Sequence, residues 1–182
     1  MKTRARQLVA GFLLPLACAT AGTLLHWTTL AAGAASLPKV VLSAESLAPR
    51  PIEQRTGEAV AHDYAQAWQD LSDALNANRP DLLGDYITGD AKLRLIRRIA
   101  DQKKTGIRTR YQDNGHQVKA VFYSPDGGEM QLEDRVQLGI QIFDGDKLIY
   151  SSNAVEKYLV LMTPGADRWY LRLLESVPDS AF

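Results

Sequence analysis

The chain has 182 residues, 46% hydrophobic and 23% charged, a composition that argues against wholesale disorder. Its formal net charge is zero, yet the region from Lys39 onward carries 18 basic against 21 acidic residues, and that net of −3 argues against a whole-domain nucleic-acid binder. The single cysteine, Cys18, leaves everything after it without an internal disulfide or a cysteine-based metal site.

Residues 1–37 form the first segment. Lys2, Arg4 and Arg6 precede an apolar stretch, and no Asp, Glu, Lys or Arg occurs from Gln7 to Pro38. A basic start followed by an apolar run is an export signal. One reading is a membrane-spanning helix over 8–27, since roughly 20 helical residues cross a ~30 Å hydrocarbon core and Trp27 suits the interface. The other is a cleavable signal peptide, with small-x-small sites at Ala17-Cys18-Ala19 and Ala32-Gly33-Ala34 and with Pro15 weakening a continuous helix. A lipoprotein signal is discounted, because Pro15 stands where an aliphatic residue is needed. Both surviving readings export the rest of the chain, to a periplasmic or other extracytoplasmic location in a bacterium.

Residues 38–55, with three prolines and no sustained period, read as a linker. The alternative is that Val40-Val41-Leu42 packs on the domain as a short strand. The domain proper is expected over 56–178, with 179–182 as a tail. Val60, Tyr64, Ala67, Trp68, Leu71 and Leu75 make a helical stripe, with Thr56 as its cap and Asn76, Asn78 and Pro80 ending it. A short helix is expected over 81–87, and another over 90–104, capped by Asp90 and closed by Gly106. The period then changes to two. Strands are expected at 107–111, 117–123, 130–143, 147–162 and 168–177, separated by turns at Asp113-Asn114-Gly115, Pro125–Gly128, Asp144–Asp146 and Thr163–Gly165. Turns this short join antiparallel neighbours, and strands this long must curve. The fold class is therefore α+β: N-terminal helices packed on a strongly curved antiparallel sheet, preceded by one apolar helix.

The Tyr64/Trp68 helix, the segment "NRPDLLGDYITGDA" and the closing "DRWYLRLLE" resemble the nuclear-transport-factor-2-like cone fold, over about 56–178. The resemblance implies a helix closing a cone of sheet. It also implies a choice of functions, from ketosteroid isomerase-like enzymes and dehydratases to non-enzymatic scaffolds. The layout of short cytoplasmic tail, one span and external cone is similar to the membrane-tethered VirB-type assembly subunits of type IV secretion systems.

Isomerase-like chemistry needs a carboxylate base within the cone and proton donors for the developing oxyanion. Asp134 shares its phase with Met130, Leu132, Val136, Leu138, Ile140 and Ile142, so it is the acidic residue projected onto the apolar face. Tyr111, Tyr150 and Tyr158 are the candidate hydroxyls. The competing expectation is that a bulge turns Asp134 outward or that an arginine pairs it. His62 is expected to face solvent, His116 follows a turn, and the histidines show no metal-ligand spacing. No phosphate loop, dinucleotide fingerprint or nucleophile elbow occurs, and neither metal nor cofactor is expected.

The region 92–110 holds Lys92, Arg94, Arg97, Arg98, Lys103, Lys104, Arg108 and Arg110 against Asp101 alone, a net of +7. It reads either as a docking face for an anionic lipid or acidic protein, or as a solvated surface. Tyr64, Trp68, Tyr86, Trp169 and Tyr170 either line a pocket or fill the core between helix and sheet. The leading expectation is a non-catalytic binding or assembly module of the cell envelope. The alternatives are a small-molecule enzyme using Asp134 and a small-ligand carrier. The partners the sequence allows are a membrane through 8–27 if that segment is retained, an acidic protein or anionic lipid, and another copy of the chain. Nucleic acid is not expected.

Overall fold

The apolar stripe on the first long helix sets the architecture. In the computed structural model, which describes residues 36–44, 47 and 49–178, that helix is α1 (Gln54–Ala77), and Val60, Tyr64, Ala67, Trp68, Leu71 and Leu75 are all buried on one face. The helix begins two residues before Thr56. Glu53 is its extended N-cap, and the Thr56 hydroxyl donates to the Glu53 carboxylate at 3.3 Å. At its end Asn78 takes a left-handed conformation (φ 52°), which asparagine tolerates, and its amide bonds back to the last turn.

The second expected helix is replaced by one 3-10 turn, Pro80–Leu82. Gly84 explains why the helix does not continue. Its φ is +45°, and a Cβ there would lie 1.9 Å from the Asp70 carboxylate, so the chain turns against α1. Ile87 then bridges Leu171. Helix α2 (Gly89–Thr105) is capped by Thr88, with Asp90 one position inside the helix and bonded to Arg94. Gly106, at φ 76°, ends it as expected. Its buried face is Ala91, Leu95, Ile99 and Gln102. Gln102 Nε2 donates to the Leu75 carbonyl at 3.1 Å and the Thr109 hydroxyl donates to Gln102 Oε1 at 2.5 Å, joining both helices to the sheet.

Four long strands follow: β2 (Ile107–Tyr123), β3 (Met130–Asp144), β4 (Lys147–Pro164) and β5 (Trp169–Ser176). Neighbours in that order pair antiparallel. Two expectations need correction. Residues 107–111 and 117–123 are one strand, since Asp113-Asn114-Gly115 forms a bulge within β2 and not a hairpin turn. The stretch 38–55 is not linker throughout, because Val40–Ser43 forms strand β1, parallel to His116–Lys119 of β2. The reason is apolar: Val40 and Leu42 are half-buried against the core, and the Leu42 side chain lies beside Gly57 at the start of α1. The sheet order is β1-β2-β3-β4-β5.

The core lies between the helices and one face of the sheet, filled by Val118, Ala120, Met130, Leu132, Val136, Leu138, Val160, Met162 and Leu171. One buried polar contact fixes α1 across it. The Trp169 amide donates to Asp63 Oδ2 at 2.7 Å, tying α1 to the first residue of β5. The architecture is the α+β arrangement expected, helices packed against a five-stranded sheet. The expected apolar N-terminal helix, the span at 8–27 and the tail at 179–182 lie outside the described residues. Among the described residues no helix is long and apolar enough to cross a membrane.

Candidate functional site

Strand periodicity places Asp134 inward on β3, and the structure puts it there with no exposure. Among the described residues no arginine pairs with it. Its Oδ2 accepts from the Tyr64 hydroxyl at 2.8 Å and lies 2.7 Å from His116 Nδ1. The other ring nitrogen, His116 Nε2, lies 2.7 Å from Asp113 Oδ2. With both nitrogens against carboxylates, the charged ring donates twice. Burial alone would push the imidazole down, but the hydrogen bonds and charges of Asp113 and Asp134 outweigh it and hold His116 up at about 9. Burial, reinforced by the charge of Asp134, pushes the Tyr64 hydroxyl well above its usual range, so it keeps its proton and donates. Among the described residues Asp134 Oδ1 has no hydrogen-bond partner.

Aromatic rings close over this cluster. Trp68 lies 4.7 Å from the His116 ring and 5.4 Å from the Tyr158 ring, centroid to centroid. Tyr64 meets His116 edge-on at 5.7 Å. Asp113 is partly exposed at the outer end of this chain of hydrogen bonds, whereas His116, Asp134 and Tyr64 are buried.

His116 was missed from sequence because it follows an apparent turn. A usable signal was present: counting back in twos from Val118 and Ala120, both inward, lands on His116. Tyr64, expected to line a pocket or fill the core, is buried and bonded to Asp134, a pairing that the sequence does not reveal. Of the three tyrosines proposed as donors, Tyr158 is the direct cross-strand neighbour of Asp134 and its hydroxyl is pushed up, chiefly by burial. Tyr111 accepts from Arg98 at 2.7 Å, and Tyr150 is 52% exposed, pairing with Ile142 towards the far end of the hairpin. His62 is largely exposed, as expected, with a 3.0 Å contact to Asp63.

Two clefts flank Trp68 and Tyr111. One, of about 390 Å³, has Leu71, Leu95, Ile140, Ile142, Tyr158 and Leu174 in its walls, with Arg94, Arg98 and Glu156 also lining it. The other, of about 530 Å³, is more polar and is bordered by Asp73, Asn76, Arg110 and Asp113. Neither is lined by Asp134. Of the aromatic set, Trp68 lines both clefts. Tyr64 is buried, Trp169 packs on Tyr123, Tyr86 lies under the Arg168 guanidinium, and Tyr170 is half-buried.

The basic residues do not form one surface. Lys92 donates to the Gly84 carbonyl at 3.0 Å, and Arg98 sits on Tyr111. Arg108 and Arg110 lie over the Phe143 ring and share Asn76 Oδ1. Arg97, Lys103 and Lys104 remain exposed on α2. No group of three or more His, Cys, Asp or Glu among the described residues is arranged to hold a metal ion.

No protein-family model matches the chain, and no curated protein matches it by sequence. Solved structures do resemble it. The intermembrane space region of the chloroplast protein ARC6 superposes with a TM-score of 0.60 at 16% identity, over 72% of this chain and 100% of that one. A protein assigned as a scytalone dehydratase from Novosphingobium aromaticivorans gives 0.44 at 12% identity, over 64% and 83%. A protein from Catenulispora acidiphila gives 0.43 at 14%, over 64% and 92%. The first likeness establishes a shared fold.

Proposed function

We propose that this domain is a non-catalytic binding or assembly module of a bacterial cell envelope, displayed outside the cytoplasmic membrane. The observation that carries the reading is the plugged cone. The one carboxylate placed to act as a base is fully enclosed by Tyr64, His116 and aromatic rings, and neither large cleft touches it. A general base must come within hydrogen-bond reach of the proton it removes. Here the carboxylate is spent on internal partners, which fits a structural role. The export signal in residues 1–37 and the fold shared with an intermembrane space region support the extracytoplasmic placement. The order of a basic start, an apolar run and a folded domain read from the sequence is similar to that of membrane-tethered VirB-type subunits.

A small-ligand carrier is the second reading, favoured by the 390 Å³ cleft with its mostly apolar walls, within the usual range for ligand pockets. An experiment on the full chain in bacterial cells separates them. A periplasm-active reporter fused after Phe182 should be active, and a photo-crosslinking residue at Glu156 should give one discrete protein adduct. A reporter active only in the cytoplasm overturns the placement. A small apolar molecule that co-purifies and is released by Ile140→Trp, without any protein adduct, transfers the assignment to a carrier. Isomerase or dehydratase activity abolished by Asp134→Asn in a folded variant would restore the enzyme reading.

A further inference from the structure

The outer surface of α2 is built unlike that of α1. Opposite its buried line of Ala91, Leu95, Ile99 and Gln102, helical spacing aligns Leu93, Arg97, Ala100 and Lys104, with Ile96 and Lys103 on one flank. All six are exposed; Leu93 is 54% and Ile96 38% exposed. Arg97, Lys103 and Lys104 have no ion-pair partner among the described residues. The acidic residues of this helix, Asp90 and Asp101, lie on the other flank, and Asp90 is already bonded to Arg94.

We propose that this face of α2 docks on the surface of an anionic phospholipid bilayer. Two independent features point to lipid and not to an acidic protein. The cations give charge complementarity to phosphate headgroups. Leu93 stands in the row of Arg97 and Lys104, and Ile96 beside Lys103 on the flank, so both aliphatics enter the boundary between headgroup and acyl chain while the long Arg and Lys stems reach back to the phosphates. Charge pairing alone leaves the two aliphatics unused, whereas apolar side chains interleaved with long cationic stems match both layers of the headgroup–acyl boundary. The helix then lies in the interface plane, held by the sheet behind it.

The test uses the full chain in nanodiscs, with Cys18→Ser and Leu93→Cys so that an environment-sensitive fluorophore reports only from α2. In discs containing phosphatidylglycerol the emission shifts to the blue, and the shift is reversed by high salt. In pure phosphatidylcholine discs no shift appears. Arg97→Gln, Lys103→Gln and Lys104→Gln together lower the ratio of docked to free domain on the order of a hundredfold, three cations near an anionic surface each contributing about a factor of five. Ile96→Ser keeps every charge and lowers the ratio less, which guards against a charge variant that fails to fold. Equal emission in both discs, or a shift that survives the triple variant, overturns the proposal. A shift produced by polyglutamate and absent with lipid overturns it in favour of an acidic protein. None of these outcomes depends on whether the clefts hold a ligand or the reporter fusion is active.

Discussion

The two halves of the β3–β4 hairpin carry the same strands into different surroundings. From Met130 to Leu138 alternate residues are fully buried beneath α1, and the polar cluster of Asp134, His116 and Tyr64 is sealed among them. Beyond Gly139 the alternation decays. Ile140 and Ile142 are half-buried, and Leu148, Ile149 and Tyr150 are about half exposed. β5 reaches only from Trp169 to Ser176, so β4 before Tyr158 lacks that neighbour. The sheet is solid where helix and strands cover it and open where they run out, and the apolar-walled cleft includes Ile140 and Ile142 from this transition. Burial, and not strand propensity, separates the halves.

Four experiments can break or sharpen that contrast. Trp68→Ala should have the largest effect, costing about 3–5 kcal/mol in denaturant unfolding, since it removes a large buried side chain touching Tyr64, Tyr111, His116 and Tyr158. His116→Gln should cost roughly 3 kcal/mol or more, because it takes one partner from a buried charge pair; a loss under 1 kcal/mol would mean the cluster is solvated in solution. The third is a pH scan. His116 is held up at about 9 in the fold against 6.5 unfolded, so its contribution is whole below pH 6.5 and is lost as pH rises towards 9. That loss is on the order of 3 kcal/mol at 1.36 kcal/mol per unit, and it should vanish in His116→Gln. A flat profile in the unmodified protein removes the charged imidazole from the account. Smallest is Leu148→Ser in the open half, expected within about 0.5 kcal/mol of neutral; a large loss there would show that half to be covered by something in solution.

The order of helices and long strands was legible from periodicity, because one face of each element meets the core. Asp134 was legible on the same ground, and its inward position survived where an outward bulge was the competing expectation. What escaped was the bulge at Asp113–His116. Upstream of it odd residues such as Thr109 point inward, and downstream even ones do. A change of phase inside one strand reads locally as a turn, and Asp-Asn-Gly is strong turn chemistry, so the residue pairing Asp134 looked incidental. Strand β1 was legible only as the alternative to a linker, for a related reason. Four residues among prolines carry no period, and only the distant edge of β2 makes them a strand. The basic run was legible as composition but not as a surface, because side-chain reach decides which cations are spent on Phe143, Asn76 and Tyr111.

The bond from the Trp169 amide to Asp63 joins residues 106 positions apart. A helix made early in synthesis therefore waits for the last strand before Oδ2 of its enclosed carboxylate finds this donor. Contacts of such separation are late and slow to form, so a growing polypeptide cannot finish this structure while its C-terminal quarter is still inside the ribosome. Until that strand is in place α1 and the sheet are not joined at this point, so the last-made element is the one that clamps the first-made helix.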